Sequence, residues 1–444
     1  MLGAASCAEQ AVTVPEPVTQ ARTERRSWPV PATLQLDLLI VVDTSPLMQG
    51  MRSNLASQAS TIANMLNSMP GGMPDLHIAV ISSDMGTAGG TNAAGYSSLG
   101  DNAAFYTGGQ QFSDGKAFLA DHQRWGGVAG QRTQNYQGTF AEALAGMLTM
   151  PPSTCRYAQP MRAISQALSP RAGNASGADT AGFIRAYSQL AVIVISANDD
   201  CSLAPDFLSQ QIPDSEATAF RCFANSIACD EAATTVGPHH NCRPEAKAGA
   251  LSSTMLFDQL VELLGVRRVQ RGLTISLITG GGQDEPSVVV GPTANAGMLE
   301  MTAACAYMAG ASSVVASPSV RLTEFAKRFR YSLETTICKD DISDALTIVG
   351  IGHTQTLFAV CSDGNYVQPF DCAFTEYRDY DTPQQQQQLL PQCDATKSNT
   401  PCVHLVIDPA TCPVPSTGIR ASFEPGTSQV FPGTFVGLEC VTTD

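Results

Sequence analysis

The chain has 444 residues, 43% of them hydrophobic and only 15% charged, with a formal net charge of −15. That length and apolar content suit two or three domains, or one large domain with an appendage, and exclude a disordered chain. The acidic balance argues against nucleic acid or anionic lipid as a partner, because both are recognised by clustered Lys and Arg. No segment approaches the ~20 apolar residues of a membrane-spanning helix.

The chain opens MLGAASCAEQ. It lacks the charged and apolar regions of an export signal, yet the small residues leading to Cys7 look like the end of a bacterial lipoprotein signal. Cys7 is therefore the expected lipidated residue, and membrane contact is expected only through that anchor. Pro15, Pro17, Pro29 and Pro31 punctuate the next stretch without helical period, so residues 1–33 read as a truncated signal plus an extended tether.

From residue 34 the pattern alternates strands and helices. Leu36–Val42 is a continuous apolar run, the mark of a strand buried on both faces, and it ends in Asp43, Thr44 and Ser45. A helix is expected over Met51–Met69 and a second buried strand over Leu76–Asp84. The segment from Met85 to Gln134, rich in Gly, Ser, Asn and Gln, reads as a long loop with a short strand or two. Gly138–Met150 reads as a helix capped by Thr139, and Met161–Leu168 as another. Leu190–Ser202 is a third strand, again ending in acids. A helix at Leu256–Leu264, a strand at Leu273–Ile278, a helix at Leu322–Phe329 and a last helix in DDISDALTIVGIG complete the series. Alternation of this kind predicts an α/β fold, a doubly wound, mainly parallel sheet with helices on both faces. Such sheets bind ligands beyond the carboxyl ends of their strands, where Asp43 and the Ser196–Asp200 turn are expected to face each other. The main domain is placed at residues 34–353.

After residue 353 the helical periods vanish, and residues 354–444 read as a small cysteine-rich β tail. The glutamine run Gln384–Gln388 reads as a flexible loop within it. Of 14 cysteines, 10 follow residue 228, most in loop-like settings beside Pro, Asn, Asp or Gly. None forms a CxxC pair, so with Cys7 set aside the rest read as a disulfide framework from an oxidising compartment. The candidates are Cys201, Cys222, Cys229, Cys242, Cys305, Cys338, Cys361, Cys372, Cys393, Cys402, Cys412 and Cys440.

The strand ending DTSPLM resembles the first metal-site motif of von Willebrand factor type A domains, whose usual pattern is Asp-x-Ser-x-Ser. Gly138-Thr139 before a helix resembles the second motif, and LAVIVISANDDCS the third. With LHIAVISSDMG and FRCFANSIAC, the chain is most similar to predicted bacterial envelope lipoproteins that carry a disulfide-rich domain of this type. The resemblance implies a cation-dependent adhesion site in which Asp43, Ser45 and Thr139 ligate Mg2+ or another divalent cation, a partner supplying a further carboxylate. The chain departs from the pattern twice: Leu47 replaces the second serine, and Ala197 stands at the usual aspartate position. Asp199 or Asp200 would have to reach in instead. A decayed site, with Asp43 and Ser45 capping the following helix, is the reading these departures favour. Asp84, just past a strand end, either lines the same face or is a plain turn residue. The resembling lipoproteins often carry a partner for Cys155 early in the preceding helix, where this chain has Glu142. Cys155 is thus the expected free thiol. Pairing within the set Cys201, Cys222, Cys229 and Cys242, and of Cys305 with Cys338, is expected.

Catalytic motifs are missing: HExxH and GxSxG do not occur. Thr279–Pro286 (TGGGQDEP) lacks the Lys-Ser/Thr of a phosphate loop. His239 and His240 beside Cys242 read as a surface loop, and the sequon at Asn174 is not expected to be used. The function expected is non-catalytic: an outer-membrane lipoprotein or extracellular adhesion module binding a protein or polysaccharide. The alternatives are a structural subunit of an envelope complex and a secreted hydrolase.

Overall fold

The computed structural model describes residues 22–30, 35–69, 72–91, 96–123, 132–169, 181–185, 188–210, 217–245, 247–265, 273–281, 288–293, 298–309, 312–329, 331–339, 342–344, 346, 360–362, 364–378, 384–393, 400–409, 412, 417–424 and 434–443. Cys7 and the rest of the expected signal, Asn174, His353 and most of the expected last helix lie outside the described residues.

The chain forms two compact units, one of residues 29–358 with 430–434 and one of residues 1–28, 359–429 and 435–444. The strands in chain order are β1 Thr23–Pro29, β2 Gln35–Val42, β3 Asp75–Ser82, β4 Leu119–Gln123, β5 Arg132–Gln134, β6 Gln189–Ile195, β7 Ile227–Ala228, β8 Gly237–His239, β9 Arg243–Pro244, β10 Leu273–Thr279, β11 Val288–Pro292, β12 Leu299–Met301, β13 Cys305–Ala309, β14 Ser312–Ala316, β15 Tyr331–Thr336, β16 Val360–Cys361, β17 Cys372–Arg378, β18 Gln386–Leu390, β19 Cys402–Ile407, β20 Ile419–Glu424 and β21 Phe435–Val441. The helices are α1 Gln49–Leu55, α2 Ala59–Asn67, α3 Phe140–Leu148, α4 Pro160–Leu168, α5 Pro205–Leu208, α6 Thr218–Ser226, α7 Ser253–Leu264 and α8 Val320–Ala326.

The larger unit is built on a seven-stranded sheet of order β15-β10-β6-β2-β3-β4-β5. Side chains alternate across a strand with period two, and β2 uses both faces. Leu36, Leu38, Ile40 and Val42 enter one core with residues of α1, α2 and α3. Leu39 and Val41 enter a second core with residues of α4, α7 and α8. Two buried faces explain why β2, β3, β6 and β10 are apolar runs rather than alternating ones.

The expected doubly wound, mainly parallel sheet is corrected by the strand pairings. Among the described strands, parallel pairing is confined to β2–β3, β2–β6, β6–β10 and β10–β15. The same sheet ends in antiparallel β3–β4 and β4–β5. Every registered pairing in the smaller sheets is antiparallel too. Across the described residues antiparallel pairings therefore outnumber parallel ones, and the chain is a disulfide-rich assembly of mixed and antiparallel sheets with short helices. In the β13–β14 hairpin the physical reason is connection length: a parallel pair needs a crossover of a dozen or more residues, whereas β13 ends at Ala309 and β14 begins at Ser312.

The smaller unit holds sheets of order β1-β21-β17-β18 and β16-β20-β19. Two expectations change here. Residues 23–29, read as tether, form β1. Part of the glutamine run forms β18, whose Gln386–Gln388 pair with Glu376–Arg378 of β17. Their side chains are exposed, so the ladder fixes a backbone whose side chains carry no burial signal.

Six disulfides staple the chain: Cys201–Cys222, Cys229–Cys242 and Cys305–Cys338 in the larger unit, and Cys361–Cys412, Cys372–Cys440 and Cys393–Cys402 in the smaller. Cross-links of this number belong to an oxidising, extracytoplasmic compartment. No helix among the described residues is long and apolar enough to cross a membrane.

Candidate functional site

The carboxyl ends of the central strands lie side by side. The Asp43 N–H donates to the Ile195 carbonyl at 2.9 Å, Ser83 N–H to Val42 at 2.9 Å, and Ser196 N–H to Ile278 at 3.1 Å. The turn after β2 and the turn after β6 therefore meet at one rim.

Their polar groups close on one another. Asp43, with no solvent exposure, accepts the Ser45 N–H on Oδ1 at 2.8 Å. Its Oδ2 lies 3.0 Å from Ser196 Oγ and accepts from Asn198 Nδ2 at 2.9 Å. The same Nδ2 donates to Ser45 Oγ at 2.9 Å. A carboxylate only accepts hydrogen bonds, so the NH2 end of Asn198 must face it. Arg52, on α1, donates to the Thr44 carbonyl at 3.1 Å. Burial lowers the Arg52 pKa, and the charge of Asp43 pulls it back up. A buried carboxylate needs such compensation. Thr44 Oγ1 is buried without a hydrogen-bond partner.

A divalent cation does not fit these residues. It would need oxygen ligands converging on one point, but the Asn198 NH2 already bridges Asp43 and Ser45. Leu47 packs on the apolar core and Met48 is fully buried. Thr139 is engaged elsewhere: its Oγ1 donates to Glu142 Oε2 at 2.8 Å and accepts the Glu142 N–H at 3.3 Å, and its own N–H donates to Oε2 at 2.8 Å. This is a complete capping box at the start of α3, and Thr139 holds the Glu142 carboxyl below the usual carboxylate range. Gly138 enters it at φ +75°, where an added Cβ would meet Glu142 Oε2 at 2.8 Å. The structure thus brings Asp43 and Ser45 together and spends the Thr139 hydroxyl on Glu142. Asp43 accepts the Ser45 N–H as a turn acid does, while neither Ser45 nor Met48 makes a side-chain cap on the helix that follows.

The two acids after Asn198 also turn away from that point. Asp199 accepts the N–H groups of Arg321 at 2.9 Å and Leu322 at 3.1 Å, capping α8. Burial pushes its carboxyl up to about 7 against the pull of these donors and of Arg321. Asp200 Oδ1 accepts the Met161 N–H of α4 at 2.9 Å, and Oδ2 pairs with Arg321 at 3.0 Å. A cavity of about 20 Å³, room for roughly one water, lies beside Asn198, Asp199, Asp200 and Arg156.

Asp84 belongs to the same rim as a turn acid. It accepts the Gly86 N–H at 2.8 Å and the Ser153 hydroxyl, and the Ser153 N–H donates to Thr44 at 2.9 Å. Cys155 is buried and outside the disulfides; its thiol is pushed up by burial and by the charge of Asp84. The described histidines lie elsewhere: His77 near Asp37, His122 on Asp75, His239 on the Thr235 carbonyl, His240 on Glu231 and His404 on Glu424. Gly281 turns at φ +78° and its carbonyl accepts from Ser319 N–H at 2.7 Å, while residues 282–287 of the glycine-rich stretch lie outside the described residues.

Sequence reasoning missed Asn198, Ser196, Arg52 and Arg321. An amide one residue past Ala197, in a turn expected to face Asp43, was the available signal for Asn198. Nothing local marks Arg321.

No family model matches the chain, and no curated protein matches it either. Among solved structures, the pilus adhesin SpaC from Lactobacillus rhamnosus GG is 9% identical, with 92% of this chain and 38% of that chain covered and a TM-score of 0.29. Proximal thread matrix protein 1 from the mussel byssus is 11% identical, with 74% and 48% covered and a TM-score of 0.27. The type V pilus tip protein Mfa5 from Porphyromonas gingivalis is 8% identical, with 95% and 68% covered and a TM-score of 0.26. The chain spans less than half the length of SpaC and of the thread matrix protein. TM-scores of this size do not define a shared fold.

Proposed function

We propose that this chain is a non-catalytic binding protein of the cell envelope or extracellular space. It presents the surface over the buried Asp43–Ser45 and Ser196–Asp200 turns, where Pro46 is exposed and Leu47 and Asn198 are half-buried, to a protein or polysaccharide, and it does so without a metal ion. One observation carries the reading. The Asn198 amide stands between Asp43 and Ser45 and supplies the donors that a cation would otherwise replace. The similarity of these turns to a von Willebrand type A adhesion site suggests adhesion as the ancestral use of the rim. An anchor at Cys7 would hold the protein at the outer membrane.

The test is capture of envelope proteins and polysaccharides on the purified chain, with and without chelator, beside an Asn198→Arg variant of intact fold. Capture that survives chelation and is lost in the variant supports the proposal. Capture abolished by chelator, or unchanged in the variant, overturns it. Calorimetric titration with Mg2+ or Mn2+ should give no binding heat; clean micromolar binding would refute the metal-free part.

A further inference from the structure

The smaller unit holds a cluster unrelated to the rim. One ligand atom from each of Cys393, Cys402 and His404 lies within 4.8 Å of the others. Cys402 and His404 are two residues apart on β19 and so share one face. Glu424 of β20 stands directly opposite Cys402 in the antiparallel register and therefore joins that face. The Cys393 N–H donates to the Val403 carbonyl at 2.9 Å, which holds the third member against the strand.

Cys393 and Cys402 are joined as a disulfide, so in this state neither sulfur is a thiolate. Their separation of 9 residues is the shortest of the six; the others run from 13 to 68. The entropy a cross-link removes from the unfolded chain grows with loop length. This bond therefore contributes least by that route. Cys393 and His404 are also partly exposed, so a reductant and an ion can reach them.

We propose that the Cys393–Cys402 disulfide is a reducible gate on a site for a thiophilic divalent cation of the zinc class, with His404 as third ligand. A dithiol reductant supplies two electrons and two protons. The Cys393–Cys402 S–S bond breaks, two thiols form, and the reductant closes its own disulfide. Freed of the bond, the sulfurs can separate to the roughly 3.8 Å spacing of two thiolates on one tetrahedral Zn2+. The ion then displaces two thiol protons, forming two Zn–S bonds and one Zn–N bond, with water in the fourth position. His404 Nε2 already lies 3.0 Å from Glu424 Oε2. A carboxylate on one ring nitrogen orients the imidazole, so Glu424 is a positioning residue.

The experiment uses the full chain, reduced anaerobically with limiting dithiothreitol, then alkylated and mapped by peptide mass. Zinc uptake is followed by competition with a chromogenic chelator, and cobalt is used as a spectroscopic substitute. Cys393 and Cys402 should be the first cysteine pair labelled, and the reduced chain should take up one zinc more than the oxidised chain. Alkylation should abolish that uptake. His404→Ala should weaken it at least tenfold and His404→Gln comparably, while Glu424→Gln should weaken it less. A Cys393→Ser/Cys402→Ser chain should take up none. The proposal is overturned if another disulfide opens first, if reduction adds no zinc uptake, or if His404→Ala binds as tightly. Uptake persisting in the double serine variant, or loss of the β signal in circular dichroism on reduction, overturns it equally.

Discussion

Asn198 Nδ2 lies 2.9 Å from Asp43 Oδ2, so a neutral amide faces a carboxylate that has no solvent exposure. Replacing the amide by a second carboxylate removes the donor and sets two like charges together. Asn198→Asp should lower stability by about 2–4 kcal/mol in chelator, read by urea unfolding. Millimolar Mg2+ or Mn2+ should then raise the melting temperature of the variant and leave that of the parent unchanged, since only the variant gains by binding the ion in its folded state. A parent protein that shifts with the metal as the variant does would refute the account of Asn198.

Arg321 and Asp200 form an ion pair whose side chains are 2% and 0% exposed. Arg321 also donates to the Leu251 carbonyl at 2.7 Å. Removing one member of a buried pair strands the other, so Arg321→Met should cost about 3–5 kcal/mol. Arg321→Met combined with Asp200→Asn should cost less than the two single changes added. Additive losses in that double-mutant cycle would show that the pair is not coupled.

Thr139 serves α3 through its capping box. Thr139→Ala should cost about 1 kcal/mol, within the range of cap removals, while Thr139→Ser should cost little. Neither change should alter the response of the protein to Mg2+. A metal response that depends on Thr139 would restore it as a ligand.

His77 is buried in β3, 2.9 Å from the Phe183 carbonyl and 3.7 Å from Asp37. Burial, reinforced by the charge of Arg185, pushes its pKa down to about 4 from 6.5. Between those values the folded state binds fewer protons than the unfolded chain, so this contribution is fully present above pH 6.5 and is lost as pH falls toward 4. At about 1.4 kcal/mol per unit the loss amounts to about 3 kcal/mol. His77→Gln should flatten this part of the urea-unfolding profile. An equal slope in parent and variant would assign the pH dependence to other groups.

The Cys155 thiol is buried, and burial together with the Asp84 charge keeps it protonated. The thiolate is the reactive form, so iodoacetamide should label Cys155 only after denaturation, at a rate tracking global unfolding. Rapid labelling of the native protein would show a looser rim than the hydrogen bonds describe.

Much of the sheet was legible because burial on both faces writes itself into sequence. The apolar run ending at Val42, and those of β3, β6 and β10, needed no partner to be recognised. The cap at Thr139 was legible too, since a capping box is local and Glu142 sits three residues on. The glutamine strand β18 was not, because its side chains are exposed and only its ladder to β17 orders it. Nor was the balance of pairing directions, which is set by which strands meet and by how much chain joins them.

The sequence by itself determined where each strand ends in polar residues, since apolar runs stop where burial stops. Only the tertiary structure decided how those polar residues are paired. Asp43 and Asn198 are 155 positions apart, and Arg321 reaches Asp200 across 121. Hydrogen bonds and ion pairs act over a few ångströms in space and leave no periodic trace along a chain.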